Sequence, residues 1–136
     1  MKKEIKFRAW HIELKRWINL NGFDIAFKGC NNEGEVYEIY EQGNLNTFAK
    51  EDVQLMQFTG LKDKNGVEIY EGDVLDLFNS KIQIEFFTGA FGYWVNKGES
   101  MGYFISLNSN SNIEISHSYI CKYQIIGNIH ENPELL

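Results

Sequence analysis

Leu55-Met56-Gln57-Phe58-Thr59-Gly60-Leu61-Lys62-Asp63-Lys64-Asn65-Gly66-Val67-Glu68-Ile69-Tyr70-Glu71-Gly72-Asp73-Val74-Leu75 is the stretch that decides the fold. Asn65-Gly66 places two residues that tolerate positive φ between two apolar runs, which is the strongest local signal for a β-hairpin. Glu71-Gly72-Asp73 marks a second reversal before Val74-Leu75-Asp76-Leu77-Phe78. Two reversals this close leave room only for short strands.

Strand and turn continue in both directions. Upstream, Ile5, Phe7 and Ala9 alternate with Lys6, Arg8 and Trp10, and Trp17-Ile18-Asn19-Leu20 follows a polar interval, which predicts a hairpin. A further strand is expected over 23–27, a loop over the turn formers of 29–34, and a strand over 35–40 that Gln42-Gly43-Asn44 breaks. Residues 47–53 read as a short helical turn capped by Thr47, or as a loop. Downstream, strands are expected over 57–62, 68–70, 74–78, 81–86, 93–95, 102–107, 113–116 and 121–129, with turns at Gly89-Ala90-Phe91-Gly92 and 108–112. Asn132-Pro133-Glu134 has the order of a helix start, but the sequence stops too soon for a stable helix. Leu135 and Leu136 therefore either tuck against a sheet or a second protomer, or fray.

The predicted architecture is mainly β and antiparallel. A small SH3-like barrel occupies about residues 55–136, and the strands of 1–54 pack on it or extend it as one domain of 1–136. Open sheet edges in such a fold need protection by charge or by pairing with another copy.

Three blocks carry a family resemblance: Leu55 to Val74, Ile5-Lys6-Phe7-Arg8-Ala9-Trp10 near the start, and Ile126-Gly127-Asn128-Ile129-His130-Glu131-Asn132-Pro133-Glu134-Leu135-Leu136 at the end. In this order they resemble the YopX family of phage and prophage proteins. The resemblance implies a small protein carried by temperate phages and other mobile elements of bacteria, and it brings no catalytic residue with it. The family pattern has an aspartate where this chain has His11, a departure that bears on local turn chemistry.

At 136 residues, 43% hydrophobic and 24% charged, the chain has the composition of one soluble globular domain. Neither an uninterrupted apolar run of about 18 residues nor a signal-like apolar core follows Lys2-Lys3, so no membrane association and a bacterial cytoplasmic location are expected. Cys30 and Cys121 lack metal or disulfide-framework spacing and read as reduced, structural thiols. A formal charge of −6 disfavours nucleic acid as a partner overall. Six of the 13 basic residues lie within the first 16 positions, and Glu33, Glu35, Glu38, Glu41, Glu51 and Asp52 follow them. That asymmetry either orients partners or protomers or belongs to a solvated face.

No catalytic or metal constellation is expected, and no cofactor. Asp63, Glu71, Asp73 and Asp76 are the densest acidic set, but Asp63 and Asp73 stand where short side chains accept hydrogen bonds from local amides. His11, His117 and His130 share no ligand spacing, and His117 between Ser116 and Ser118 cannot pair with strand neighbours that point to the opposite face. Gly89-Ala90-Phe91-Gly92 lacks the lysine and helix of a phosphate loop. The candidate binding surface is therefore Arg8, Trp10, Lys15, Arg16, Trp17, Phe91, Tyr93 and Trp94, where rings near turns can anchor a partner or stack on a base.

The function expected first is a non-enzymatic binding module, self-associating, that engages a host or phage macromolecule, with a host or phage protein as the partner. The alternative is an oligomer that sequesters a nucleotide by Trp or Tyr stacking, with Arg8 or Arg16 on phosphate. An enzyme of unrecognised type stands last.

Overall fold

The computed structural model describes residues 5–20, 27–31, 34–41, 43–77, 79–107 and 123–136. Strands dominate and every ladder is antiparallel. Among the described residues, helical structure is confined to two 3-10 turns, Lys50–Asp52 and Pro133–Leu135. The expected strand at 113–116 and the turn at 108–112 lie outside the described residues, as do His117 and Cys121. Two compact units divide the chain, Lys2–Gln57 and Phe58–Leu136.

In the first unit, β1 (Phe7–His11) pairs with β2 (Arg16–Ile18) across a turn, as the alternation predicts. β3 (Phe27–Asn31), β4 (Gly34–Glu41) and β5 (Asn44–Ala49) form a meander. The loop expected over 29–34 is thus largely strand: Gly29 pairs with Val36 and Asn31 with Gly34, so the ladder overrides the turn-forming composition. The helical turn expected from Thr47 starts later. Thr47 pairs with Glu38 inside β5, and the 3-10 turn opens after Ala49 without a side-chain cap. Ala9, Ile18, Ile39 and Val53 form the buried core, with Tyr37, Phe48 and Leu55 against it.

β6 (Val53–Lys62) contributes its first half to that unit, where it pairs with β1, and its second half to the next, where it pairs with β7 (Glu68–Tyr70). The sequence Phe58-Thr59-Gly60-Leu61 is a bulge: Phe58 pairs with Tyr70 and Lys62 with Glu68, leaving three residues opposite one. Thr59 holds it, its hydroxyl donating to the Ile69 carbonyl (2.8 Å) and accepting from the Leu61 amide (3.1 Å).

The second unit adds β8 (Asp73–Leu77), β9 (Ser80–Gln83) and β13 (Ile125–Asn128) in one sheet, ordered β13-β8-β9. A second sheet, β10-β11-β12, comprises Glu85–Phe87, Ala90–Val95 and Tyr103–Ser106. The strand expected over 81–86 breaks at Ile84, whose amide donates to the Asp73 carbonyl while its own carbonyl accepts from Gly72. Among the described residues the two sheets stay separate ladders, so SH3-like closure is not seen. Leu61, Ile69, Leu75, Ile82, Ile84, Phe91 and Leu107 form the core between them.

The end of the chain is tied down. Asn128 Oδ1 accepts from the amides of His130 (3.0 Å) and Glu131 (2.8 Å), turning the chain so that Asn132 and Leu135 lie over Gly127. Leu135 is half-buried and Leu136 exposed.

Candidate functional site

The basic and aromatic residues singled out near the start are largely occupied within their own unit. Trp10 and Trp17 are cross-strand partners whose rings meet edge to face at 4.9 Å. Trp10 is buried, and the Arg8 guanidinium stacks 4.8 Å from the Trp17 ring centre with Nη2 3.8 Å from Met56 Sδ. Arg16 forks onto Glu41 at 2.8 and 3.2 Å. The Asn19 amide also donates to Glu41, and the Arg16 hydrogen bond dominates the forces that hold the Glu41 carboxyl below its ordinary value. Lys50 pairs with Glu35 through its ammonium. The basic start therefore meets the acidic stretch inside the chain through Arg16 and Glu41, and Lys50 takes up a second carboxylate of that stretch. Lys15 is exposed at a turn, at φ 50°.

His11 also has a local task. Its Nδ1 accepts from the Leu14 amide at 3.2 Å and its ring meets Phe48 edge to face. An aspartate at this position has an acceptor for the same kind of turn amide.

A different picture holds at the sheet β10-β11-β12. Phe86 and Phe87 are adjacent, so they point to opposite faces. Phe86 lies opposite Phe91, whose ring is 3% exposed in the core, and touches it from outside. Phe87, opposite Ala90, shares the other face with Trp94 and Phe104, and the three rings stand 5.0, 5.3 and 5.5 Å apart. Phe87 is 43% exposed. Trp94 and Phe104 are half-buried.

Two backbone features hold this trio. Gly92 lies in β11, and a Cβ there would collide with the Ile105 carbonyl and the Phe104 ring, so the bare backbone leaves room for Phe104 to meet Trp94 edge to face. Thr88 and Gly89 both have positive φ, 47° and 84°, in the two-residue turn between Phe87 and Ala90. A β-branched residue in that region is strained, and the strain sits next to Phe87, the most exposed ring of the trio. Glu85 faces the same side as Phe87 and takes the Lys97 ammonium at 2.6 Å.

The sequence matches the YopX protein family over residues 6–136. The chain belongs to the YopX family. The crystal structure of protein EF1440 from Enterococcus faecalis is similar at 32% identity, covering 99% of each chain with a TM-score of 0.58. A comparison with curated proteins finds no match.

Within the family blocks of this YopX protein, Asp63 and Asp73 accept backbone amides that fix the local fold. Asp63 is 6% exposed; its Oδ1 accepts from the Asn65 and Val67 amides and its Oδ2 from Ile125. Burial raises its pKa, and the three amides together with Lys64 outweigh that, holding the carboxyl below its ordinary value. Asp73 accepts from the Tyr70 amide at 2.8 Å. Both acids are turn residues, as their positions beside Gly66 and Gly72 predict.

Of the five aromatics singled out, Trp10 and Phe91 are core and Trp17, Tyr93 and Trp94 are half-buried. Only Trp94 belongs to the trio with Phe87 and Phe104. The Gly89–Gly92 turn is shorter than expected, since Phe91 and Gly92 already lie in β11. Phe87 and Phe104 went unrecognised. The available signal was Phe86-Phe87, because neighbouring phenylalanines in a strand cannot both face one core.

Proposed function

We propose that this family member is a non-enzymatic binding module of a phage or other mobile element, and that it engages a host or phage macromolecule through the outer face of β10-β11-β12. The observation that carries this reading is the trio Phe87, Trp94 and Phe104, three touching rings on the side of the sheet opposite Phe91, with Phe87 left 43% exposed. Large rings held rigid at a surface supply contact area at little entropic cost, and such residues dominate binding energy at interfaces. Nucleotide sequestration by Arg8 or Arg16 draws less support, since one is stacked on Trp17 and the other forked on Glu41.

Phe87→Ser and Phe86→Ser give a matched test, because Phe86 is 51% exposed but faces the other way. Affinity capture from infected cells, with proteins and nucleotides both identified, is expected to recover one protein with the wild type and with Phe86→Ser, and to lose it with Phe87→Ser. Recovery that is indifferent to Phe87 removes this face from the function.

A further inference from the structure

We infer that the occupant of this aromatic face is a basic peptide segment, with arginine or lysine side chains laid across Phe87 and Trp94 and directed toward Glu85. The inference rests on the docking face proposed above and adds the chemistry of what docks there. Charge is the first ground. Residues 58–136 contain five lysines, no arginine and ten carboxylates, so five of the six net negative charges lie in the unit that carries the trio. Such a field slows the approach of nucleic acid, of an acidic protein and of a second copy of the same face, and speeds the approach of a cationic segment.

Local geometry is the second ground. Rings present a negative π-face, and a guanidinium or ammonium gains by lying over it. The three rings meet at tilted and edge-to-face angles on one side of the sheet, and Phe87 is 43% exposed there, within reach of an incoming cation. Glu85 is in register with Gly92 on that side, and it already takes one ammonium, from Lys97, which is itself exposed. An incoming guanidinium binds a carboxylate with two parallel hydrogen bonds where an ammonium offers a point charge. An arginine from the partner therefore displaces Lys97 and leaves it free to return to solvent. This combination of carboxylate and neighbouring rings favours arginine over lysine.

Fluorescence anisotropy with a labelled arginine-rich peptide tests this, alongside its lysine counterpart, an acidic peptide and a single-stranded oligonucleotide. The arginine peptide is expected to bind tightest, and Phe87→Ser to weaken it about tenfold while Phe86→Ser changes it less than about twofold. Glu85→Gln, which preserves shape, is expected to narrow the preference for arginine over lysine, and all three variants are checked for an unchanged melting curve. Binding of the arginine peptide that falls equally in the two phenylalanine variants means that only diffuse charge attracts it, and overturns the inference. Equal or tighter binding of the oligonucleotide also overturns it. If no peptide binds while capture of a cellular protein still depends on Phe87, the basic occupant is rejected and the docking face stands. If capture is indifferent to Phe87, both fall.

Discussion

Asp63 shows how one side chain sets a turn in this protein. Its carboxylate collects the amides of Asn65, Val67 and Ile125, the last from a strand 62 positions away, so a local turn and a long-range ladder share one acceptor. In Asp63→Asn one carboxylate oxygen becomes an NH₂ donor, which leaves at least one of these amides facing a donor. Hydrogen bonds to a charged group contribute more than neutral ones, and the loss is expected to be roughly 2 kcal/mol in urea melts. Its pH dependence has a definite sign. Because the folded-state value lies below the ordinary 3.8, the ionised carboxylate stabilises fully above that pH, and the contribution disappears as pH falls through the lower folded value. The gap between wild type and Asp63→Asn is therefore expected to stay level from neutrality down to pH 3.8 and to shrink below it. A gap that already shrinks at pH 6 would assign the effect to another group.

Two glycines in different elements separate backbone strain from steric collision. Gly66 has φ 80° in the β6–β7 hairpin with open space around it, so Gly66→Ala costs only the left-handed penalty, about 1 kcal/mol. Gly92 is not left-handed, but a Cβ there meets Ile105 and Phe104. Gly92→Ala must push β12 away or turn the Phe104 ring, and is expected to cost about 2 kcal/mol or more and to alter Trp94 fluorescence. Equal losses, or no change in emission, would show that Phe104 does not lean on Gly92. The same contrast explains what was legible in the sequence. Asn65-Gly66 announces its hairpin because turn chemistry is local. Gly92 announces nothing, because its reason is a ring from another strand. Likewise the Thr59 bulge and the break at Ile84 depend on partners in β7 and around Gly72, and alternation along 81–86 alone reads as one continuous strand. The strand over 29–31 was hidden for the opposite reason, since pairing with β4 overrode residues that favour turns when alone. Of the candidate surface residues only Trp94 lies in the trio, because exposure on a sheet is settled by which face meets the core.

Charge and apolar exposure act together across the whole molecule. The sequence pI is about 5.0 and the formal charge at pH 7 is −6, so like molecules repel at neutral pH and lose that repulsion on acidification. The electrostatic pairing proposed between the basic start and the acidic stretch of a second protomer has less to draw on than the sequence suggests. Arg16 already binds Glu41 and Lys50 binds Glu35 within one chain. Self-association, if driven by the exposed rings, should instead follow the net charge. Light scattering at micromolar concentration is expected to return a mass above the 15.8 kDa monomer, rising further as pH approaches 5.0. Phe87→Ser should lower that mass near pH 5.0, whereas Arg16→Glu should cost folding stability, by less than about 1 kcal/mol for a surface pair, and leave the mass unchanged. Raising salt then has little effect at the pI, because there is no net repulsion left to screen. A mass of 15.8 kDa at both pH values removes self-association altogether, and an assembly that dissolves with Arg16→Glu returns the interface to the basic start of the chain.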